Sequence, residues 1–330
     1  MKNKNTYVIA EIGLNHNGSL ILAKKMILAA KYAGADAVKF QSFRTDEFMS
    51  NKKISYSYNK NKKRENMYKM FNRLEFKNYW YLKLKQFCDK KKIDFLTSVA
   101  DIDSLKDYLK IKPKAIKVAS EDIINYKLLK ALSKVNKTII ISTGMADEEE
   151  IRKALKIFKN KKKIILLHCV SLYPTHNSLI NINRINTLKE KFNLRVGFSD
   201  HTDGIKASVM AVTQGAVVIE KHFTTSRKLS GPDQKFSIEP NELKKMIKEI
   251  RLAKDMLGDG KIHPKSKELF YRRKFRRSIV ANEFIKKNTK IKSTMLALKR
   301  PGTGLHPKYL EKIVGSLAKK NFKKNQKIIL

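Results

Sequence analysis

Two histidines, His201 and His222, stand at the ends of apolar runs that are close together in the chain, in the contexts SDHT and EKHF. If these runs form neighbouring parallel strands, their backbones lie about 5 Å apart and the two imidazoles can share one divalent cation. A lone histidine on a strand is more often a packed core residue, but a pair with an intervening acid favours a metal site. Two nitrogen donors among oxygen donors predict Mn²⁺, or alternatively Mg²⁺, with positions open for water or substrate.

A second set of residues is suited to binding an anion. Lys39 and Lys117 are embedded in apolar runs, where a charged side chain is costly unless it is used. Gly144 follows a serine in a turn whose backbone N–H groups can face a ligand. Hydroxyl groups occur at the ends of neighbouring runs, at Ser98, Ser120 and Ser142. This combination predicts a site for a phosphate or a carboxylate.

These residues need a scaffold that brings the ends of several strands together. Eight apolar runs recur with helical stretches between them, and their near-continuous Val, Ile and Leu content is typical of parallel strands buried on both faces. Such strands, joined by crossover helices, predict an α/β fold, a (β/α)₈ TIM barrel. The runs are 7–13, 37–43, 94–100, 115–120, 138–144, 163–170, 195–200 and 217–223.

In such a barrel the chemistry lies at the carboxyl ends of the strands. One cavity is therefore expected to collect the polar residues of those ends. They are Glu11, Lys39, Gln41, Thr97, Ser98, Lys117, Ser120, Ser142, Thr143, His168, Ser199, Asp200, His201, Glu220 and His222.

Glycine and proline divide the chain into two predicted domains. Helical patterns over 20–34, 147–159 and 239–257 predict helices that cover the barrel, and the last is followed by the sparsely apolar segment GDGKIHPKSKE. We predict a barrel over 1–258, a linker over 259–271 and a small β-rich domain over 272–330. The polar segment 44–73 exceeds an ordinary loop and is predicted to be an active-site lid or a partly mobile excursion.

The formal net charge of +42 raises the alternative of a non-catalytic, nucleic-acid-binding protein. Lysines are spread along the whole chain without a zinc-finger, RNP or helix-turn-helix pattern, which favours a solvated surface instead. Cys88 and Cys169 have neither metal-ligand nor redox spacing and are expected to be reduced, packed thiols. Without a pattern typical of a signal peptide or a membrane span, we expect a cytoplasmic protein that binds neither nucleic acid nor membrane.

A series of short motifs runs through the chain. They are IAEIGLNHNG (9–18), VKFQ (38–41), KVAS (117–120), ISTGM (141–145), LLHCVSLYPT (166–175), GFSDHT (197–202), IEKHFT (219–224) and GPDQKFS (231–237). Together they resemble the N-acetylneuraminate (sialic acid) synthase family. The tail motif KRPGTGL (299–305) resembles the SAF, or antifreeze-like, domain that closes these synthases. The resemblance covers essentially the whole chain and implies a barrel followed by a small β-rich SAF domain.

This resemblance implies condensation of phosphoenolpyruvate with the open-chain aldehyde of an N-acylated hexosamine such as N-acetylmannosamine, with loss of phosphate by C–O cleavage. His201 and His222 would hold the metal that polarises the aldehyde. The acids implied to contact the sugar or to manage protons are Glu11, Asp122 and Asp233. The implied substrate-binding residues are Lys39, Gln41, Ser98, Lys117, Ser120, Ser142, Tyr173, Ser199 and Arg300.

Arg300 is implied to act between two chains. In the resembled family, this arginine reaches the barrel of the other subunit in a domain-swapped homodimer and contacts the N-acyl group of the sugar. Its planar guanidinium suits such a ligand, and the following Pro301 and Gly302 restrict the local backbone. Each active site would then need two chains.

Two positions depart from the family's pattern. Asp122 stands where glutamate is usual, and Ser171 stands where asparagine is usual. Asp122 keeps the charge but retracts it by one methylene, which alters the contacts with the sugar. These departures leave several products open. The resemblance as a whole ranks N-acetylneuraminate or a close nonulosonate first. Legionaminic or pseudaminic acid, made from a 2,4-diacetamido-2,4,6-trideoxyhexose, is the alternative, and a phosphorylated sugar substrate ranks third.

Overall fold

The computed structural model describes residues 6–56 and 65–329. Eight parallel strands close into a barrel in which each strand pairs with its neighbours in the chain and the last pairs with the first. The strands are β1 (Tyr7–Gly13), β2 (Ala37–Ser42), β3 (Asp94–Val99), β4 (Ala115–Val118), β5 (Thr138–Ser142), β6 (Ile164–Cys169), β7 (Arg195–Asp200) and β8 (Val218–His222). The predicted TIM barrel is confirmed. The bounds of β1 and β7 are those predicted, and the other strands are shorter than predicted at their ends.

Helices cover the outside of the barrel, and their ends carry the expected capping residues. The side chain of Ser19 accepts a hydrogen bond from the backbone of the first helix, which ends at Gly34 in the left-handed conformation. Asp147 and Glu150 form a capping box at the start of another. The helices of this unit are α1 (Leu20–Ala33), α2 (Thr45–Phe48), α3 (Met67–Leu74), α4 (Asn78–Lys91), α5 (Ile102–Lys110), α6 (Tyr126–Ser133), α7 (Glu148–Lys156), α8 (Arg184–Phe192), α9 (Lys206–Thr213) and α10 (Pro240–Leu257). Within the described ranges, no helix has the length and apolarity that crossing a membrane requires.

The barrel interior is layered, and this layering positions the site. An apolar layer fills the barrel with side chains such as Ile9, Leu96 and Val218. Because side chains alternate between the two faces of a strand, the residue two positions further along each strand also points inward. Those next residues are polar, and they include Glu11, Lys39, Ser98, Lys117, Ser142, Ser199 and Glu220. The polar layer therefore lies one step above a packed apolar floor, on the carboxyl side of the barrel.

The segment 44–73 is an ordered excursion between β2 and α4 over the part that is described. It contains α2, a pair of two-residue antiparallel strands (Ser55–Tyr56 and Glu65–Asn66) and α3. A small apolar cluster of Leu14, Phe43, Met70 and Leu74 holds it against the barrel. Residues 57–64, which belong to the predicted lid, lie outside the described residues.

The chain divides into two compact units, Met1–Gly258 and Asp259–Leu330. The second contains helices α11 (Ser266–Phe275) and α12 (Leu310–Ile313) and the antiparallel pair β9 (Ser278–Ala281) and β10 (Leu296–Lys299). Its small core includes Ile279, Ile285 and Phe322. The helix α11 begins at Ser266, inside the segment 259–271 that the sequence predicts as a linker. This helix buries none of its residues and so lacks the apolar stripe from which a helix is predicted.

Candidate active site

Three charged side chains meet inside the barrel mouth, and the strand register brings them there. Glu11 of β1 is paired with Lys39 of β2 on one side and with His222 of β8 on the other. The Nζ atom of Lys39 lies 2.8 Å from Oε1 of Glu11 and 3.8 Å from Oε1 of Glu220. All three side chains are buried. One lysine therefore faces two carboxylates in a region from which water is largely excluded.

The electrostatics of this trio favour an uneven distribution of charge. Burial opposes the charged form of Lys39, but Glu11 and Glu220 outweigh it and raise the pKa of Lys39. Burial likewise opposes ionisation of Glu220, yet Lys39 and Lys117 hold the pKa of Glu220 below its usual value. Burial raises the pKa of Glu11 despite the attraction of Lys39. Glu220 therefore carries the more stable negative charge, and Glu11 is the carboxyl that more readily holds a proton.

Lys117 of β4 has a different environment. Its Nζ atom donates to the carbonyl of Val118 at 2.8 Å and contacts Oγ of Ser142 at 2.6 Å. No carboxylate lies within ion-pair distance of it among the residues the structure describes. Burial lowers the pKa of Lys117. A bound anion would supply the counter-charge that this buried ammonium lacks.

The predicted hydroxyls surround this lysine and the following turn. The backbone N–H of Gly144 donates to Oγ of Ser120 at 3.1 Å, and Ser199 donates to Glu220 at 3.1 Å. A Cβ atom at position 144 would lie 2.3 Å from Oγ of Ser171 and 2.7 Å from Oγ of Ser120. Glycine is thus required at position 144 because two hydroxyls approach its backbone closely.

His201 and His222 come together as the sequence predicted, with their ring centroids 5.5 Å apart. Nδ1 of His201 lies 2.8 Å from the carbonyl oxygen of Val170, which can only accept, so Nδ1 carries the proton and Nε2 keeps its lone pair. Nδ1 of His222 is buried without a hydrogen-bond partner. Each imidazole therefore retains a ring nitrogen that can bind a cation.

The nitrogen donors of His201 and His222 fit a divalent cation that keeps some of its coordination positions open. Oδ2 of Asp233 lies 3.8 Å from Nδ1 of His222. In the described part of the chain, His, Cys, Asp and Glu side chains do not form a ready cluster of three or more ligands. Two nitrogen ligands would thus be completed by water or substrate oxygens, as in a catalytic rather than a structural site.

Two further acids stand at this opening. Burial and the nearby charge of Glu11 raise the pKa of Asp233 to about 7. Burial and the neighbouring Glu121 raise the pKa of Asp122, which follows β4, to about 7. Asn125 donates to the carboxylate of Asp122 at 3.4 Å. Near neutral pH both carboxyls exchange protons readily, so either can donate or accept one.

A cavity of ≈ 510 Å³ opens above the charged layer. Its volume lies in the range of roughly 300–1,000 Å³ that is usual for small-molecule sites. The predicted residues that line it are Gln41, Ser98, Asp122, Tyr173, His222 and Asp233. The ring of Tyr173 lies against that of His201, with centroids 4.1 Å apart. The excursion 44–73 adds apolar side chains that the sequence did not point to, namely Phe48, Met67, Met70 and Phe71.

The expectation that one cavity collects every polar strand end is wrong: of those residues, Gln41, Ser98 and His222 belong to its described lining, and Thr97, His168 and Asp200 point away from the barrel interior. These side chains belong to the alternate, outward positions of their strands. Thr97 bonds to Ser42, and Nε2 of His168 lies 2.7 Å from the carbonyl of Ile180. Asp200 accepts from Ser208 on α9 and lies 3.0 Å from Nζ of Lys221. Asp200, which directly precedes His201 in the chain, is thus part of the packing around the barrel.

Two remaining predictions concern Arg300 and the two cysteines. Arg300 lies in the second unit, where its guanidinium is 5.5 Å from the ring of Phe275. Its implied contact with a sugar stays a prediction. Cys88 and Cys169 are free and buried, as expected. Sγ of Cys169 lies 3.8 Å from Nδ1 of His201, a neighbour that sequence spacing did not reveal.

Comparison with known proteins gives two family matches. The model described as the NeuB family matches residues 26–262, and that of the SAF domain matches residues 276–328. The chain is 40% identical to N,N'-diacetyllegionaminic acid synthase of Campylobacter jejuni, over 98% of this chain and 99% of that protein. It is 36% identical to pseudaminic acid synthase of the same species, over 96% and 94%.

Among solved structures, the N-acetylneuraminic acid (sialic acid) synthetase of Leptospira borgpetersenii superposes with a TM-score of 0.73. The two sequences are 39% identical, and the match covers 81% of this chain and 91% of that one. Sequence and fold comparisons thus agree on the same group of proteins.

Proposed function

The chain belongs to the NeuB family, and on that premise we propose that it is a nonulosonic acid synthase that condenses phosphoenolpyruvate with an N-acylated hexosamine. The observation that carries the proposal is the arrangement at the barrel mouth. A buried lysine without a carboxylate partner among the described residues, Lys117, lies in the polar layer inside the barrel, and His222 and Asp233 line the cavity at the same end. An anion and an aldehyde can therefore be held one above the other.

Phosphoenolpyruvate brings the negative charge that this layer of the barrel accommodates. Lys117 and Lys39 would bind its phosphate and carboxylate, because charge-assisted hydrogen bonds are strongest where water is excluded. Ser120 and Ser142 would supply hydroxyls, and the backbone N–H of Gly144 lies within hydrogen-bond distance of Ser120. The nearby Glu220 stays ionised, and its charge prevents Lys39 from being left unpaired before the substrate arrives.

In the proposed reaction, carbon-3 of phosphoenolpyruvate attacks the aldehyde carbon of the open-chain sugar and forms the new C–C bond. Water adds to carbon-2, and the C–O bond to phosphate then breaks, so that the keto acid and inorganic phosphate leave. Asp233 would give a proton to the aldehyde oxygen as it becomes a hydroxyl, and Glu11 would take the proton from the attacking water. Holding both substrates in one cavity supplies much of the rate enhancement.

His201 and His222 would hold a divalent cation, most simply Mn²⁺ or Mg²⁺, at the aldehyde end of the cavity. Such a cation supplies Lewis-acid polarisation of a carbonyl oxygen. Tyr173, packed on His201, would keep the imidazole oriented and shield this end of the cavity from water. Gln41 and Asp122 would hydrogen-bond the hydroxyl or amide groups of the sugar.

A coupled assay tests the proposal. Purified protein, phosphoenolpyruvate and Mn²⁺ are mixed with N-acetylmannosamine or with 2,4-diacetamido-2,4,6-trideoxyhexoses, and phosphate release and product mass are followed. We expect phosphate only when an amino sugar is present, and a product that contains the carbons of both substrates. Phosphate release at the same rate with and without a sugar would contradict the proposal. So would the absence of phosphate release with every sugar tested.

We also propose the domain-swapped homodimer in which Arg300 serves the partner's active site. Two inactive variants, Arg300→Ala and Lys117→Ala, should then regain activity when they are refolded together, because a mixed dimer contains one site with both residues intact. Random pairing of equal pools should restore about a quarter of all sites, since half of the dimers are mixed and each has one intact site. No recovery in a sample shown to contain mixed dimers would place the action of Arg300 within its own chain.

A further inference from the structure

A buried ion pair lies on the outer side of the barrel, next to the two histidines in the chain. Asp200 of β7 and Lys221 of β8 are opposite each other in the strand register, and Nζ of Lys221 lies 3.0 Å from Oδ2 of Asp200. Both side chains are buried. His201 directly follows Asp200, and His222 directly follows Lys221. The pair therefore joins the two strand ends that carry the histidines.

The carboxylate of Asp200 holds the turn that begins at His201. Its Oδ1 atom accepts hydrogen bonds from the backbone N–H of Thr202 at 2.9 Å and from the hydroxyl of Thr202 at 2.8 Å. Its Oδ2 atom accepts from Oγ of Ser208, on α9, at 2.6 Å. Together with the ammonium of Lys221, these donors leave the carboxylate little freedom to rotate.

Lys221 holds the same turn from the neighbouring strand. Its Nζ atom donates to the carbonyl of Thr202 at 2.7 Å, so that Thr202 is bound through its N–H by the carboxylate and through its carbonyl by the ammonium. The carbonyl of His201 accepts from the N–H of Thr175 at 2.8 Å. A lysine that stands next to His222 thus fixes the backbone next to His201.

The separation of the two imidazoles depends on this backbone. Nδ1 of His201 is held by the carbonyl of Val170, whereas Nδ1 of His222 is buried without a hydrogen-bond partner in the part of the chain that the structure describes. The place of His222 relative to His201 therefore follows from how β8 is tied to the turn after β7. Two ligands bind one cation well only when their spacing and direction are right.

A buried ion pair is a costly way to fill the outer side of a barrel. Both ions lose their hydration, and apolar side chains of similar size often stabilise a fold as well or better. Charge-assisted hydrogen bonds supply direction, which apolar packing does not. Here the directed bonds of Asp200 and Lys221 join β7, β8 and α9 at the turn that carries a metal-binding candidate.

We propose that the ion pair of Asp200 and Lys221 is a positioning device, which sets the separation of His201 and His222 and thereby the affinity for a divalent cation. This inference rests on the proposed function, in which the two histidines hold that cation. Asp200 and Lys221 lie on the outer side of their strands and act through the backbone. They are positioning residues, and their loss weakens metal binding before any substrate is present.

The test measures Mn²⁺ binding without turnover. Free Mn²⁺ gives a sharp electron paramagnetic resonance signal that disappears on binding, so titration of the full-length protein gives a dissociation constant. The ion-pair variant combines Asp200→Asn, which keeps an acceptor for Thr202, with Lys221→Met, so that no buried charge is left unpaired. We expect its dissociation constant to be roughly ten- to a hundredfold higher than that of the wild type, the usual effect of losing residues that orient metal ligands.

The matched control removes an ion pair at the opposite end of the barrel. Nη2 of Arg251 lies 2.8 Å from Oδ2 of Asp36, which directly precedes β2. The control variant, Asp36→Asn with Arg251→Met, should bind Mn²⁺ as the wild type does. His222→Ala should abolish binding, because the cation measured must be the one at the two histidines.

Ser208→Ala serves as a second test if the ion-pair variant does not fold. It removes one donor to Asp200 and leaves both charges in place, so that the fold keeps its ion pair. We expect the dissociation constant to rise by a smaller factor than in the ion-pair variant.

The outcomes separate this inference from the proposed function. The inference would be overturned by a wild type that binds no Mn²⁺, by binding that persists in His222→Ala, or by an equal loss of affinity in the control. An unchanged affinity in the ion-pair variant, or in Ser208→Ala if that variant does not fold, would overturn it too. Mn²⁺ binding that depends on the pair, in a protein that releases no phosphate with any sugar, would contradict the synthase activity and leave the inference standing. Condensation with an affinity that is independent of the pair would do the reverse.

Discussion

The two units of the chain share the same lysine-rich composition but place their charges differently. In the first unit, several charged side chains are buried, among them Lys39, Lys117 and Glu220 inside the barrel and Lys221 in the packing around it. In the second unit, every charged side chain that the structure describes is at least partly exposed, and Ser278 is the buried polar residue. The first unit therefore holds some of its charges away from water, whereas the second leaves its described charges in contact with it.

The difference shows that net charge alone does not locate chemistry. The formal net charge of +42 arises mostly from solvated lysines. A charged side chain in water costs little free energy, so such lysines need not take part in binding or catalysis. A buried charge is costly unless it is paired or used, so position inside the barrel is the informative quantity. Removing a charge should therefore have large effects at the barrel mouth and negligible effects in the second unit.

The largest effect is expected for Lys221→Met. The ammonium of Lys221 pairs with Asp200 and donates to the carbonyl of Thr202 at 2.7 Å, and both charged side chains are buried. Its loss leaves a buried carboxylate uncompensated, which should lower the free energy of unfolding by about 3–5 kcal/mol. Denaturant titration of the variant and of the wild type measures the difference in the free energy of unfolding. Asp200→Asn in the same chain should recover part of the loss, and Lys287→Met, at an exposed site of the second unit, should change stability by less than about 0.5 kcal/mol.

Next in size is the effect of Lys117→Met on catalysis. Loss of the buried ammonium should lower kcat/KM for phosphoenolpyruvate by roughly 10²- to 10³-fold, the usual cost of one preorganised donor. The KM for the sugar should change little, because the proposed arrangement has the sugar bind above this layer. Steady-state kinetics with each substrate varied in turn give both values. If both constants worsened equally, or if Lys287→Met were as damaging, the assignment of Lys117 to the phosphate would fail.

The smallest effect concerns the pH dependence of stability through Asp122. Its pKa is raised to about 7 in the folded protein, so between roughly pH 4 and pH 7 the folded state binds more protons than the unfolded state. Stability should therefore fall as pH rises through this window, by about 1 kcal/mol in total, because Asp122 is half-buried and solvent screens its charge. Thermal unfolding of the wild type and of Asp122→Asn across this range should show the fall reduced in the variant. Glu283→Gln, which removes an exposed carboxylate of the second unit, should follow the wild type; parallel curves for all three proteins would contradict the prediction.

The barrel could be predicted because each strand is a short apolar run with a polar end. For β1 and β7 the predicted bounds match the structure, since the pattern changes sharply at both ends. The charged layer was also accessible, because Lys39 and Lys117 interrupt runs of Val and Ile. His201 and His222 could be paired because neighbouring strands must bring them together.

What could not be predicted depends on contacts between distant residues. The bond from Ser199 to Glu220 and the approach of Cys169 to His201 follow from strand register, which the sequence does not state. The outward direction of Asp200 follows from the same register. The apolar side of the cavity combines Phe48 and Phe71, which come from opposite ends of the excursion 44–73. No periodicity in the sequence links the two residues. For α11, the missing signal is an apolar stripe that the helix does not have.

The apolar and the charged sides of the cavity region come from different parts of the chain. Phe48, Met67 and Phe71 belong to an insertion between β2 and α4. The charged layer and the two histidines are carried by the barrel strands and the turns that follow them. An insertion can drift, lengthen or be exchanged by recombination without disturbing strand register. Changes in the lining of the cavity can then accumulate in one insertion while the residues carried by the strands stay in place, as other barrel enzymes diversify through their loops.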